Sequence, residues 1–149
     1  MLTLDANIWV SAFDPREGFH AQSIAFLAHV ARQGLALHGP ATVPLEVACA
    51  MRRRLRKNAH ADDVIGRLRA HPSLVLHPIT DRLLDLALAL GVERQLRGMD
   101  ALYAATAALM EAPLISWDAE LIQRAGAISP ADWMAENAGD AGHRPANPA

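Results

Sequence analysis

Residues 2–10, LTLDANIWV, join a short apolar run to a second apolar segment through an aspartate. Similar strand-sized apolar runs occur at residues 35–37, 74–76 and 114–115, and longer amphipathic stretches separate them. Short apolar runs that alternate with helical periodicity are typical of α/β proteins with a mainly parallel sheet. The sequence therefore predicts an α/β fold, a three-layer α/β/α sandwich with a parallel-rich central sheet.

The helices between these strands have their own boundary signals. Gly34 is expected to end the first long helical segment, and Pro44 is expected to open the next one. Thr80 is a predicted N-cap for the segment DRLLDLALAL, which Gly91 is expected to end. These signals support the helical interpretation independently of the apolar periodicity.

Size and composition favour one domain followed by a tail. The chain has 149 residues, of which 52% are hydrophobic and 20% are charged, and this suits a single core. From residue 135 the composition changes to AENAGDAGHRPANPA, which has small residues and proline without periodicity. We therefore expect a domain over residues 1–134 and a poorly ordered C-terminal tail over residues 135–149.

Charge and cysteine content exclude some classes of protein. The net charge of −2 gives no general basic field, so nucleic-acid recognition would require a local patch. Cys49 is the only cysteine, which excludes an intramolecular disulfide. No basic leader precedes an apolar segment, and no run approaches the roughly 20 apolar residues of a membrane span. We expect a cytoplasmic protein without membrane contact.

Four acidic residues lie at the predicted ends of strands or starts of helices: Asp5, Glu46, Asp100 and Asp118. Each acid taken alone is explained by the preference for acids in the first turn of a helix. However, ligands bind outside the carboxyl ends of parallel strands, and four acids that converged there would repel each other unless cations entered. Because Mg²⁺ accepts carboxylate and phosphate oxygens, the cluster predicts phosphodiester chemistry.

The motifs around these acids resemble those of the PIN-domain ribonucleases, especially the VapC-type toxins of bacterial toxin–antitoxin pairs. The matching segments occur in the order LDAN, PLEVACAM, RGMDALYAATA and PLISWDAELI, and GFHAQSIAFL resembles the second helix of the family. The similarity covers residues 2–127, and GMDALYAATA followed shortly by LISWD is its most specific part. Trp117 departs from the family pattern, and we interpret it as a packing residue.

The resemblance implies a PIN-like fold and a metal-dependent endoribonuclease in which water attacks the phosphorus. The four acids would hold one or two Mg²⁺ or Mn²⁺ ions. Asn7 and Ser116 would support the ligands or orient the substrate, although a turn-forming role is an equal alternative for Asn7. The resemblance also implies a homodimer that is inhibited by a cognate antitoxin protein, a segment of which lies across the acidic groove.

A basic segment, MRRRLRK at residues 51–57, follows Glu46 on the same predicted helix. Glu46 and Arg53 are seven residues apart and therefore share a helical face, about two turns from each other. We expect Arg53 and Arg54 to contact the RNA backbone, with a solvated basic face as the alternative.

Two other classes of protein compete with the nuclease interpretation. A phosphatase of the haloacid dehalogenase type also has an aspartate after its first strand, but it normally needs a second aspartate two residues later and a catalytic lysine. Asn7 occupies that position here, and Lys57 is the only lysine. A non-catalytic PIN-like module that binds RNA or protein is the stronger alternative, although the presence of all four acids disfavours it.

Overall fold

A parallel sheet forms the centre of the protein. The structure, a computed structural model, describes residues 1–55 and 58–137. The strands of this part are β1 (Leu2–Leu4), β2 (Leu37–Pro40), β3 (Leu74–His77) and β4 (Leu114–Ile115). They lie in the order β3-β2-β1-β4, and all neighbouring pairs are parallel. The predicted α/β fold with a parallel sheet is confirmed.

Helices flank this sheet. In the described residues they are α1 (Ala6–Phe13), α2 (His20–Arg32), α3 (Val43–Leu55), α4 (Asn58–Arg69), α5 (Asp81–Arg94), α6 (Gly98–Met110), α7 (Ala119–Ala125) and α8 (Pro130–Glu136). Helix α6 packs on β1 and β2, and α5 packs on α6. Helix α1 contacts α2 and α3, and α8 contacts α2. The arrangement is that of an α/β/α sandwich.

The central strand β1 brings two distant chain segments together. Leu4 is fully buried and pairs in register with Ile115, which is also fully buried. Apolar burial of this kind contributes about 1.5–3 kcal/mol for each large side chain. Because β1 and β4 are parallel and in register at their last residues, Asp5 and Ser116 leave the sheet side by side.

Gly34 and Thr80 act as predicted. Gly34 has a φ of 64° just after α2, a conformation in which glycine avoids the strain of a Cβ atom. The Thr80 hydroxyl accepts a hydrogen bond of 3.3 Å from the Leu83 N–H and caps α5. Strand β2 begins at Leu37 rather than at residue 35, because the Leu35 N–H still bonds the Val30 carbonyl of α2 at 3.3 Å.

The prediction that Gly91 ends α5 is wrong. The helix continues to Arg94 and ends at Gln95, which has a φ of 55°. Gly91 instead faces α6, where an added Cβ would lie 3.2 Å from the Cβ of Ala101. The glycine therefore permits close packing of the two helices, a role that the sequence near Gly91 does not reveal.

Helix α8 crosses the predicted boundary between domain and tail, which was placed after residue 134. Ser129 caps it by accepting a 3.1 Å hydrogen bond from the Asp132 N–H, and Trp133 packs edge-on against Phe26, with ring centroids 5.7 Å apart. The helix includes residues 135 and 136, which were expected to belong to the tail. The remainder of the expected tail, from residue 138 to 149, lies outside the described residues. No helix in the described ranges is long and apolar enough to cross a membrane.

Candidate active site

A cleft of about 890 Å³ lies at the carboxyl edge of the sheet, between α1, α3 and the start of α6. All of the acids singled out by the sequence line this cleft, namely Asp5, Glu46, Asp100 and Asp118. Asn7, Arg53 and Arg54 also line it. The fold therefore gathers these side chains from four separate segments of the chain around one space.

Asp5 is the most buried of the acids, with 8% of its surface exposed. It caps α1, since its Oδ1 atom accepts a hydrogen bond of 3.4 Å from the Asn7 N–H. Its Oδ2 atom accepts a hydrogen bond of 2.7 Å from the Ser116 hydroxyl. Burial raises the pKa of Asp5 to about 6, and repulsion from Asp100 and Glu46 adds to the effect of burial while the two hydrogen bonds oppose it.

Ser116 and Asn7 form a bridge between the loops that follow β1 and β4. The Ser116 hydroxyl, which donates to Asp5, accepts hydrogen bonds of 2.9 Å from the Asn7 side-chain amide and from the Asp118 N–H. The Trp117 N–H donates to Asn7 Oδ1 at 3.2 Å. Asn7 therefore does more than begin a helix, because its side chain fixes the position of Ser116 beneath the acids.

Glu46 enters the cleft from the first turn of α3. Its Oε1 atom accepts hydrogen bonds from the Tyr103 hydroxyl at 2.9 Å and from the Thr42 hydroxyl at 3.0 Å. Burial raises the pKa of Glu46, although these two hydrogen bonds lower it in part. Tyr103 was missed in the sequence, but it is three residues after Asp100 on α6, a spacing that places both side chains on one helical face.

A second missed residue, Arg97, lies directly before α6 and also lines the cleft. Its Nε atom donates to Asp100 Oδ2 at 2.7 Å, and its Nη2 atom donates to Asp118 Oδ2 at 2.6 Å. The hydrogen bond to Asp100, followed by that to Asp118, holds the pKa of Arg97 well above its ordinary value. The guanidinium group thus joins two of the four predicted acids.

Asp118 combines this ion pair with a capping role. Its Oδ1 atom accepts a hydrogen bond of 2.7 Å from the Glu120 N–H at the start of α7. Burial alone would raise the pKa of Asp118, but the Glu120 N–H and the Arg97 guanidinium outweigh burial, and the pKa lies below its usual value. Asp118 is therefore held as a charged carboxylate.

Arg54 and Trp117 both contact the part of the chain that follows α1. The exposed Arg54 forms an ion pair with Glu17, while Arg53 is also exposed on the same helix. The ring of Trp117 stacks on Phe19 with centroids 4.2 Å apart, and its Nε1 atom donates to the Ser23 hydroxyl at 2.9 Å. These contacts agree with the packing interpretation of Trp117.

Comparison with known proteins identifies the class that this fold and cleft define. The chain belongs to the PIN domain family, whose model matches residues 2–127. This confirms the resemblance seen in the sequence. PIN domains are generally nucleases and typically use divalent metal ions.

Two solved structures share the fold. FitAcB from Neisseria gonorrhoeae superimposes with a TM-score of 0.66 at 16% sequence identity, over 87% of this chain and 96% of that chain. PAE2754 from Pyrobaculum aerophilum gives a TM-score of 0.59 at 22% identity, over 92% of this chain and 96% of that chain. Identities this low relate the folds alone. No curated protein sequence matches the chain significantly.

The acids of the cleft fit a divalent cation in their chemistry. They offer the carboxylate oxygens that Mg²⁺ and Mn²⁺ prefer, and the repulsion among Asp5, Glu46 and Asp100 is the kind that a cation relieves. Among the described side chains, no group of three or more is gathered tightly enough to hold an ion as it stands. Two of the acids instead hold the Arg97 guanidinium, so binding of an ion would require some rearrangement of the cleft.

Proposed function

We propose that this protein is a metal-dependent endoribonuclease and the VapC-type toxin of a bacterial toxin–antitoxin pair. The main support is the cleft that collects Asp5, Glu46, Asp100 and Asp118 beside three arginines. Acidic ligands next to a basic surface suit a polyanionic substrate that is cut with the help of a cation. Membership of a family that generally consists of nucleases supports the same reaction class.

In this proposal the four acids hold Mg²⁺ or Mn²⁺, and the bound ion supplies the positive charge that polarises the phosphodiester and favours ionisation of water. Ser116 keeps Asp5 and the Asp118 loop in fixed positions through its three hydrogen bonds. Tyr103 and Thr42 both bond Oε1 of Glu46, which leaves Oε2 to face a ligand. Such supporting contacts orient ligand atoms before the ion and the substrate arrive.

The arginines of α3 are proposed to bind the RNA backbone. Replacing Arg53 and Arg54 together by alanine should weaken RNA binding and reduce its salt dependence by roughly one unit of slope for each lost phosphate contact. Fluorescence anisotropy at several salt concentrations measures both quantities. If affinity and slope stayed at the wild-type values, the two side chains would be only a solvated basic face.

The proposed partners are a second copy of the chain and a cognate antitoxin. A basic side chain of the antitoxin would pair with the acids of the cleft, because the arginine fork matches carboxylate geometry. Light scattering measures the oligomeric state, and co-expression with any small gene that lies beside this one tests for the antitoxin. A monomer that purifies without any partner would contradict this part of the proposal.

A cleavage assay tests the reaction itself. Total RNA and purified tRNA are incubated with the protein in Mg²⁺, in Mn²⁺ and in EDTA, and cleavage should occur only with a metal. Asp118→Asn should abolish it, whereas Asp85→Asn, the same change on the exposed surface of α5, should not. RNA that is bound but left intact under all metal conditions would favour the non-catalytic binding module instead.

A further inference from the structure

Arg97 places a positive charge of the protein itself among the acids of the cleft. Its two hydrogen bonds, of 2.7 Å and 2.6 Å, end on Asp100 and Asp118, and its Nη2 atom is 3.5 Å from Glu120. Both of the directly bonded acids are proposed ligands of the metal. The guanidinium group and a divalent ion would therefore compete for the same carboxylate oxygens.

The side chain is able to leave these acids. It is 62% exposed, and exposed ion pairs are weak because water and salt screen them. Arg97 precedes the first turn of α6 with an extended backbone, φ −66° and ψ 153°, so its side chain projects from a loop. A doubly charged ion gains more from the same two carboxylates than a single guanidinium group does.

A released guanidinium would remain in the cleft, beside the bound substrate. Planar guanidinium groups bind phosphate through paired hydrogen bonds, in the same geometry that they use with carboxylates. We propose that Arg97 exchanges partners, binding Asp100 and Asp118 in the metal-free protein and an RNA phosphate oxygen once an ion holds these acids. This inference rests on the proposed function for the identity of the ion and the substrate.

A purely structural role for Arg97 predicts different behaviour. If its ion pairs served only to join α6 to the loop after β4, removing them would destabilise the protein without increasing metal affinity. Arg124 is a suitable control, since it bonds Glu120 at 2.8 Å and the Gln95 carbonyl at 2.6 Å. It therefore belongs to the same charged surface, yet it bonds neither Asp100 nor Asp118.

Calorimetric titration with Mn²⁺ tests the competition directly. The metal-free wild type is compared with Arg97→Ala, Arg97→Gln and Arg124→Ala, after circular dichroism has confirmed that each is folded. Loss of two exposed ion pairs should tighten Mn²⁺ binding of both Arg97 variants by about 3- to 30-fold. The Arg124 variant should match the wild type, and Arg97→Gln serves if Arg97→Ala does not fold. Unchanged or weaker Mn²⁺ binding by the folded Arg97 variants would overturn the inference.

Steady-state cleavage of RNA at saturating Mn²⁺ tests the second half of the exchange. The Arg97 variants should show a higher KM. The slope of log(kcat/KM) against log salt concentration should also be shallower by about one unit, as expected for the loss of one phosphate contact. A KM and salt slope equal to the wild type would overturn the phosphate contact. If no variant bound Mn²⁺ and none cut RNA, the proposed function would fail together with this inference. Normal metal-dependent cleavage with no effect of Arg97 would refute the inference alone.

Discussion

Replacing Asp5 by asparagine should stabilise the metal-free protein at neutral pH while abolishing RNA cleavage. The carboxyl group has a pKa of about 6 in the folded protein against a reference value of 3.8. Each pKa unit corresponds to about 1.4 kcal/mol, so the charged form of this buried group costs about 3 kcal/mol of folding stability. Asparagine has nearly the same shape and carries no charge.

The pH at which this cost appears follows from the direction of the shift. Folding raises the pKa of Asp5, so the folded protein retains its proton where the unfolded chain has already lost it. The stability contribution of Asp5 is therefore fully present below pH 3.8 and is lost as the pH rises to about 6. At pH 7.5 the whole cost applies, and at pH 4 very little of it does.

Asparagine also loses one hydrogen-bond acceptor, because its side chain has one oxygen where aspartate has two. Asp5 accepts hydrogen bonds from the Ser116 hydroxyl and, at a longer 3.4 Å, from the Asn7 N–H. Loss of one such hydrogen bond costs about 1 kcal/mol. The net gain at pH 7.5 is then about 2 kcal/mol, which corresponds to a rise in melting temperature of roughly 4–8 °C for a domain of this size.

Thermal melting in EDTA at pH 7.5 and pH 4 measures this effect for the wild type, Asp5→Asn and the control Asp85→Asn. The Asp5 variant should melt higher than the wild type at pH 7.5 only, and the control should show no such dependence. Equal or lower melting at pH 7.5 would refute the electrostatic argument. A folded Asp5 variant that cut RNA as well as the wild type would refute its assignment as a metal ligand.

Two further substitutions test the supporting contacts and the helix packing. Tyr103→Phe removes a hydrogen bond to the carboxylate of Glu46 and should lower the free energy of unfolding by about 2 kcal/mol in urea titrations; unchanged stability would show that the contact is energetically unimportant. Gly91→Val should destabilise the protein by about 1–3 kcal/mol, because the added Cβ would lie only 3.2 Å from the Cβ of Ala101 and the larger side chain would push the two helices apart. The same change at Gly66, where an added Cβ has open space, should cost less, and equal costs would contradict the packing explanation.

The strands that carry the site were predictable because their signals are local. Leu2–Leu4 and Leu114–Ile115 are apolar runs that end just before the polar residues of the site, and the observed strands have the same bounds. The convergence of Asp5 and Asp118 followed from the parallel sheet, whose carboxyl ends meet along one edge. The role of Gly91 was not predictable, since it depends on a residue of another helix.

The contacts of the site depended more strongly on tertiary structure. Tyr103 and Arg97 have the i, i+3 spacing to Asp100 that sequence can show, but their partners Glu46 and Asp118 are distant in the chain. Arginine is common on protein surfaces, and tyrosine is common at partly buried positions. Neither residue therefore signals a site by itself. Only the folded arrangement brings each beside a carboxylate.

The choice between a helix cap and a metal ligand is not exclusive for Asp5 and Asp118. Each carboxylate uses Oδ1 to accept a backbone N–H of the helix that follows, and Oδ2 to bond a group from elsewhere in the chain. The capping bond restricts rotation of the side chain, and this directs the second oxygen before any ligand arrives. Substitution by alanine would therefore remove cap and ligand together and confuse stability with activity. Asparagine keeps a capping oxygen but removes the charge and the second carboxylate oxygen, so a loss of cleavage in a folded Asp118→Asn protein would report on the groups that Oδ2 binds rather than on the cap.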